Sequence, residues 1–136
     1  MSGDELVHPA DGPLLLAACG LRETLILEGP WSETELRAAV DRFLSELRRD
    51  LKEAGCALIG HIKGIVDAGE TGQLFFSVTS FQEQARYKGR LTGSFTKVDL
   101  TLNVIVCGVE SGKIERAVRE GLRRHVGRPA GASDRY

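Results

Sequence analysis

At Gly55 the hydrophobic period of this chain changes from 3.6 residues to 2, and that switch excludes most fold classes at once. Before it, Leu36, Val40, Phe43, Leu44, Leu47 and Leu51 recur at three- and four-residue steps, while Arg37, Asp41, Arg48, Arg49 and Lys52 fill the other side. This spacing predicts a long amphipathic helix ending at Gly55. Ser32 and Glu35 mark its start as a capping box, with Trp31 and Leu36 placed as a hydrophobic staple.

After Gly55 three stretches alternate. In the first, Leu58, Gly60, Ile62, Gly64 and Val66 oppose Ile59, His61, Lys63 and Ile65. In the second, Leu74, Phe76 and Val78 oppose Phe75, Ser77, Thr79 and Phe81; in the third, Val98 to Val106 oppose Asp99, Thr101, Asn103, Ile105 and Cys107. One face is apolar and the other mixed, the pattern of an antiparallel sheet covered by helices on one side. The turn-rich "DAGETG" joins the first two strands as a hairpin, and Phe76 is expected opposite Gly64, covering its bare backbone. Residues 82–97 read either as a loop or as a strand extension turning at Thr92 and Gly93.

A short strand over Glu23–Gly29 precedes the long helix, and a second helix runs from about Ser111 to His125 with Gly127 as its C-cap. The fold class is therefore α+β: a two-layer sandwich in the order β-α-β-β-β-α, mainly antiparallel, with both helices on one face. A right-handed crossover through the long helix places the first strand parallel to, and beside, the Gly60 strand. Residues 1–13 read as a mobile N-terminal arm, 14–127 as a single α+β domain and 128–136 as a disordered C-terminal tail. The same element order is similar to that of small ribosome-hibernation factors and, without its first strand, of double-stranded-RNA-binding domains. The second helix lacks the lysine cluster that the latter carry at its start, so the similarity is topological.

A formal charge of −1 over 136 residues excludes the basic excess of a dedicated duplex binder, but residues 113–136 hold seven bases against three acids. Cys19, Cys56 and Cys107 are an odd number with no CxxC spacing, which points to reduced thiols and a cytoplasmic location. Cys56 and Cys107 are expected at opposite ends of the sheet. "LLLAAC" ending at Cys19 has the look of a lipoprotein site, but the preceding residues carry no Lys or Arg, and no apolar run suits a membrane span.

"VIVCGVESGKI" falls short of a phosphate-binding loop, because three residues rather than four separate Gly108 from Gly112, and Ile114 stands where Ser or Thr should be. Gly112 and Lys113, at a helix start capped by Ser111, could hold an isolated anion. His8, His61 and His125 lie in three different elements, so no metal is expected, and no cofactor.

The mixed sheet face supplies the candidate ligand or partner residues: His61, Lys63, Phe75, Ser77, Thr79, Phe81, Asp99, Thr101 and Asn103. Its large apolar groups call for a cover, and a second copy of the chain is the simplest, so a homo-oligomer, dimer favoured, is expected. The first reading is thus a non-enzymatic protein that self-associates through this face. The second is an RNA- or ribosome-binding module using Arg86, Tyr87, Lys88 and Arg90 with Arg116, Arg119 and Arg123 of the last helix. The third is a small-molecule enzyme around His61, Lys63 and Asp99.

Overall fold

Strand β1 (Leu16–Trp31) leads into helix α1 (Glu33–Glu53), followed by β2 (Leu58–Asp67), β3 (Gly72–Val78), β4 (Arg86–Leu91) and β5 (Phe95–Cys107). Helix α2 (Ser111–His125), β6 (Gly127–Pro129) and a single helical turn, α3 (Ala130–Ser133), complete the described residues. The structure, a computed structural model, describes residues 15–133. The mobile-arm expectation for 1–13 lies outside the described residues.

The strands form one antiparallel sheet in the order β4-β3-β2-β5-β1-β6, with α1 and α2 on the same face, which is the α+β sandwich expected from the alternation. The capping box forms: Ser32 N–H donates to Glu35 Oε1 at 2.8 Å, and α1 stops where Gly55 takes φ +101°. Leu36, Phe43, Leu44 and Leu47 of α1 are completely buried against Ile62, Leu74, Val104 and Val106 of the sheet and Ile114 and Val118 of α2. Each helix presents one apolar stripe, and the sheet presents one apolar face; their burial drives the layering.

Four expectations are corrected, and one choice between two readings is decided. First, β1 and β2 are parallel but not neighbours, because β5 lies between them and pairs with both. Antiparallel ladders on both sides satisfy β5's backbone groups without requiring β1 and β2 to touch. Secondly, this insertion brings Cys56 and Cys107 to one end of the sheet: Ala57 N–H donates to the Cys107 carbonyl at 3.0 Å, and both thiols are buried and free. Burial pushes the Cys56 thiol above its ordinary value, as it does that of Cys19.

Thirdly, β1 begins at Leu16 rather than Glu23, extending a ladder from Leu16↔Cys107 to Ile26↔Lys97. Ala17, Ala18 and Gly20 have little strand preference of their own, and pairing with β5 overrides it. Fourthly, the strand-extension reading of 82–97 holds: β4 pairs with β3 and turns at Gly93, whose φ is +65°. Fifthly, Arg128 and Pro129, expected in a disordered tail, pair with Ile26 and Leu25 of β1, and Val126, not Gly127, caps α2.

Gly60 and Gly64 play different parts. Gly64 pairs with Phe76 as expected, both buried, with the ring over the glycine backbone. Gly60 sits in a β-bulge, where Ile59 pairs with Val106 but His61 with Ile105. The extra residue inverts the alternation, so Ile59, expected on the mixed face, is buried at 3% exposure and Gly60 is exposed.

Candidate functional site

The uncovered sheet face is a grid whose rows follow from the registers. One row reads Lys88, Phe75, Ile65, Thr101, Arg22 across β4, β3, β2, β5 and β1; the next reads Arg86, Ser77, Lys63, Asn103, Gly20. With adjacent strands about 4.8 Å apart, such a row spans roughly 19 Å. Lys63, Ile65, Phe75, Arg86, Lys88 and Asn103 line a shallow groove of about 590 Å³. Phe75 is 40% and Ile65 36% exposed, both high for large apolar groups within a sheet.

The charge on this face is segregated. Arg22, Lys63, Arg86 and Lys88 make no hydrogen bond or ion pair among the described residues. The two acids on the grid, Asp67 and Asp99, face each other one row beyond, and each is already engaged. Asp67 Oδ1 accepts from Gly69 N–H at 2.9 Å and Asp99 Oδ1 from the Thr24 hydroxyl at 2.6 Å. A chain of net charge −1 therefore carries a basic sheet face, since most of its acids lie on α1, on α2 and in the N-terminal residues.

The structure gathers Lys63, Phe75, Ser77, Thr101 and Asn103 of the expected face and adds Arg86 and Lys88 from the alternative set. Others leave it. Thr79 lies past the end of β3, and Phe81 turns to the helix side, where it packs on the core 5.8 Å from Lys52 Nζ. His61 and Asp99 lie on adjacent strands but at opposite ends: Asp99 pairs with Asp67, six residues or about 20 Å along β2 from His61. The enzymatic constellation of His61, Lys63 and Asp99 does not assemble.

The composite basic surface also fails to form. Tyr87 points away from the open face, and its hydroxyl donates to Asp41 Oδ1 at 2.5 Å with the Arg37 guanidinium 4.3 Å from its ring. Burial and the Asp41 carboxylate hold its hydroxyl far above the ordinary tyrosine value, so it remains a donor, and its ring is taken up by Arg37 and by Phe76, 6.3 Å away between centroids, rather than open to a base. Arg119 is spent on Glu23 at 2.8 Å and Glu115 at 2.9 Å, and α2 packs near β1 and β6, across the sheet from β4. Gly112 and Lys113 are exposed in the first turn of α2, but the cap residue is Glu110, not Ser111, whose carboxylate disfavours an anion there.

The other polar concentration joins the helices. Glu46 of α1, 8% exposed, accepts from Arg124 and from His125 Nε2 at 2.9 Å on α2. The hydrogen bond to His125 holds its carboxyl below the ordinary value of 4.5, opposed by burial and helped by Arg124. The folded state thus binds fewer protons than the unfolded chain, so Glu46 stabilises the fold above about pH 4.5 and loses that contribution as pH falls through its lowered value. Glu46→Gln should cost about 1 to 3 kcal/mol near neutrality, moderated because Arg124 can turn to water. Urea midpoints measured from pH 7 to pH 3 should show the gap between variant and parent closing at the acid end.

Among the described residues, no three His, Cys, Asp or Glu side chains come together in a group that could hold a metal, and no helix is long and apolar enough to cross a membrane. No protein-family model and no curated protein matches this chain. Two solved structures are similar to it: the Zn(II)-bound YjiA GTPase from E. coli and a Zn(II)-bound triple mutant of the YjiA GTPase. Each is 18% identical with a TM-score of 0.43, over 75% of this chain. The chain spans 28% of the length of those structures.

Proposed function

We propose that this protein is a non-enzymatic binding module whose open sheet face takes single-stranded nucleic acid. The observation that supports it is the grid itself: three bases without partners, Lys63, Arg86 and Lys88, line the groove with the exposed ring of Phe75, and a fourth, Arg22, stands at the far end of the same row, about 14 Å away. A flat surface suits an extended strand better than an enclosed ligand, with the bases neutralising phosphates and the ring stacking on a nucleobase. Ser77, Thr101 and Asn103 add hydrogen-bonding groups between them.

Self-association through the same face is the second reading, favoured by Ile65 and Phe75. A symmetric pairing of two such faces brings bases toward bases, which ranks it lower.

Anisotropy titrations with labelled single-stranded and duplex RNA between 50 and 200 mM salt test the proposal. Lys63→Ala and Lys88→Ala should each lower the salt slope by about 0.7. Phe75→Ala should weaken binding by about 1 to 3 kcal/mol while leaving the slope unchanged. Equal affinity for duplex, or a salt-insensitive dimer by light scattering with no nucleic-acid binding, would overturn it.

A further inference from the structure

At the opposite edge of the molecule from β4, the end of α2 overhangs β6 and the end of β1 to form a cleft of about 770 Å³. Three different elements each send an arginine to it: Arg42 from α1, Arg123 from α2 and Arg128 from β6. None of the three makes a hydrogen bond or ion pair among the described residues. Arg124, also in the wall, is already held by Glu46, and Glu28 is the one acid lining the cleft. Trp31, partly buried against the core, supplies an aromatic wall.

The bland account of arginines near α2's end is the helix dipole, whose negative pole favours cations there. It covers Arg123 alone. Arg42 lies mid-helix in α1 and Arg128 lies in a strand, so neither answers to that pole. Three unpaired guanidiniums of like sign on one concavity repel one another, and an anion would relieve the repulsion. Guanidinium forks match phosphate oxygens, and the tryptophan face takes a planar ring.

We propose that this cleft binds a small organic phosphate carrying an aromatic ring, of mononucleotide size. Its volume falls in the ordinary range for small-ligand sites, and both recognition elements are present in it. The site is separate from the sheet-face groove and shares no lining residue with it, so the two proposals stand or fall apart.

Trp31 is the chain's single tryptophan, which makes its emission a direct report on the cleft. Titrations of the full chain, in buffer free of phosphate and sulfate, should compare AMP, adenosine, ribose 5-phosphate and inorganic phosphate by fluorescence and calorimetry. AMP is expected to bind and quench Trp31. Adenosine, lacking the charge, and ribose 5-phosphate, lacking the ring, should each bind at least tenfold more weakly. The double variant Arg42→Gln with Arg128→Gln, both exposed positions, should weaken AMP at least tenfold with an unchanged melting temperature. Unaltered AMP affinity in that variant, adenosine binding as well as AMP, or no AMP heat at millimolar concentration overturns the proposal. Inorganic phosphate binding as tightly as AMP overturns the ring-recognition part by showing a bare anion site.

Discussion

Gly64→Val should unfold with about 3 kcal/mol less free energy than the parent, at the upper end of what overpacking costs. A Cβ at Gly64 would overlap the edge of the Phe76 ring, which is 3% exposed and packs on Tyr87 with centroids 6.3 Å apart. The ring has no free space to swing into, so backbone must move instead. Working against this, valine favours strands and has less backbone freedom to lose, together about 1 kcal/mol. The clash wins because it is set by rigid neighbours on both sides.

A double-mutant cycle checks the cause. Phe76→Ala alone should cost about 3 to 5 kcal/mol. Combined with Gly64→Val, the total should fall short of the sum by about 1 to 3 kcal/mol, since the valine then fills space the ring vacated. Chemical denaturation supplies all four values, and a Gly64→Val protein as stable as the parent would sink the packing account. Lys63, next in sequence but on the other face, is untouched by either change, so the nucleic-acid binding proposed for that face should be the same in variants and parent at temperatures where the variants stay folded.

That separation of Gly64 from Lys63 was legible in the sequence because it depends only on alternation, a local property. The long helix, its capping box and the Gly64–Phe76 register were legible for the same reason. What escaped was set by partners distant in the chain. The insertion of β5 between β1 and β2 follows from ladder completion between residues far apart in the chain, as in Thr24 against Asp99, and no periodicity encodes it. The bulge at Gly60 was visible only as a glycine; nothing nearby shows that Ile59 turns inward there.

The candidate site shows the same division. Lys63, Phe75, Ser77, Thr101 and Asn103 were assigned to one face from their own strands. Arg22 escapes because the sequence pattern begins the first strand one residue later, at Glu23, and Arg86 and Lys88 read with Tyr87 as one basic surface apart from the sheet face. The alternation of Arg86, Lys88 and Arg90 about Tyr87 was the available signal, since period two splits bases from aromatic in any strand. The cleft at Trp31 had no sequence signal, because its arginines come from positions 42, 123 and 128 on three elements.

Phe43→Ala should cost about 4 kcal/mol, among the largest losses available to one substitution in this chain. Phe43 is completely buried where α1 meets α2, and the opposing position is Gly121. Glycine inside a helix costs about 1 kcal/mol relative to alanine, so its presence there needs a packing reason. A Cβ at Gly121 would stand 3.0 Å from Phe43 Cδ1 and 3.2 Å from Cε1, closer than side chains ordinarily meet. The glycine therefore makes room for the ring. The void beside the ring in the parent is about 10 Å³, so the surrounding Leu36, Val40 and Leu122 are already packed and cannot close over the gap left by alanine.

The account fixes a sign that a general loss of stability would not. In the parent, Gly121→Ala sets a helix-propensity gain against crowding of the ring. In the Phe43→Ala background the crowding is gone, and the same Gly121→Ala change should stabilise by about 1 kcal/mol. The Gly121→Ala effect must therefore be more favourable in the variant than in the parent, measured by urea denaturation. Equal effects in both backgrounds would show that Phe43 and Gly121 are not the contact that sets the helix separation. Because Glu46 lies 3.7 Å from the same Cβ position, that separation also governs how Arg124 and His125 reach it, and with them the end of α2 that carries Arg123 to the cleft.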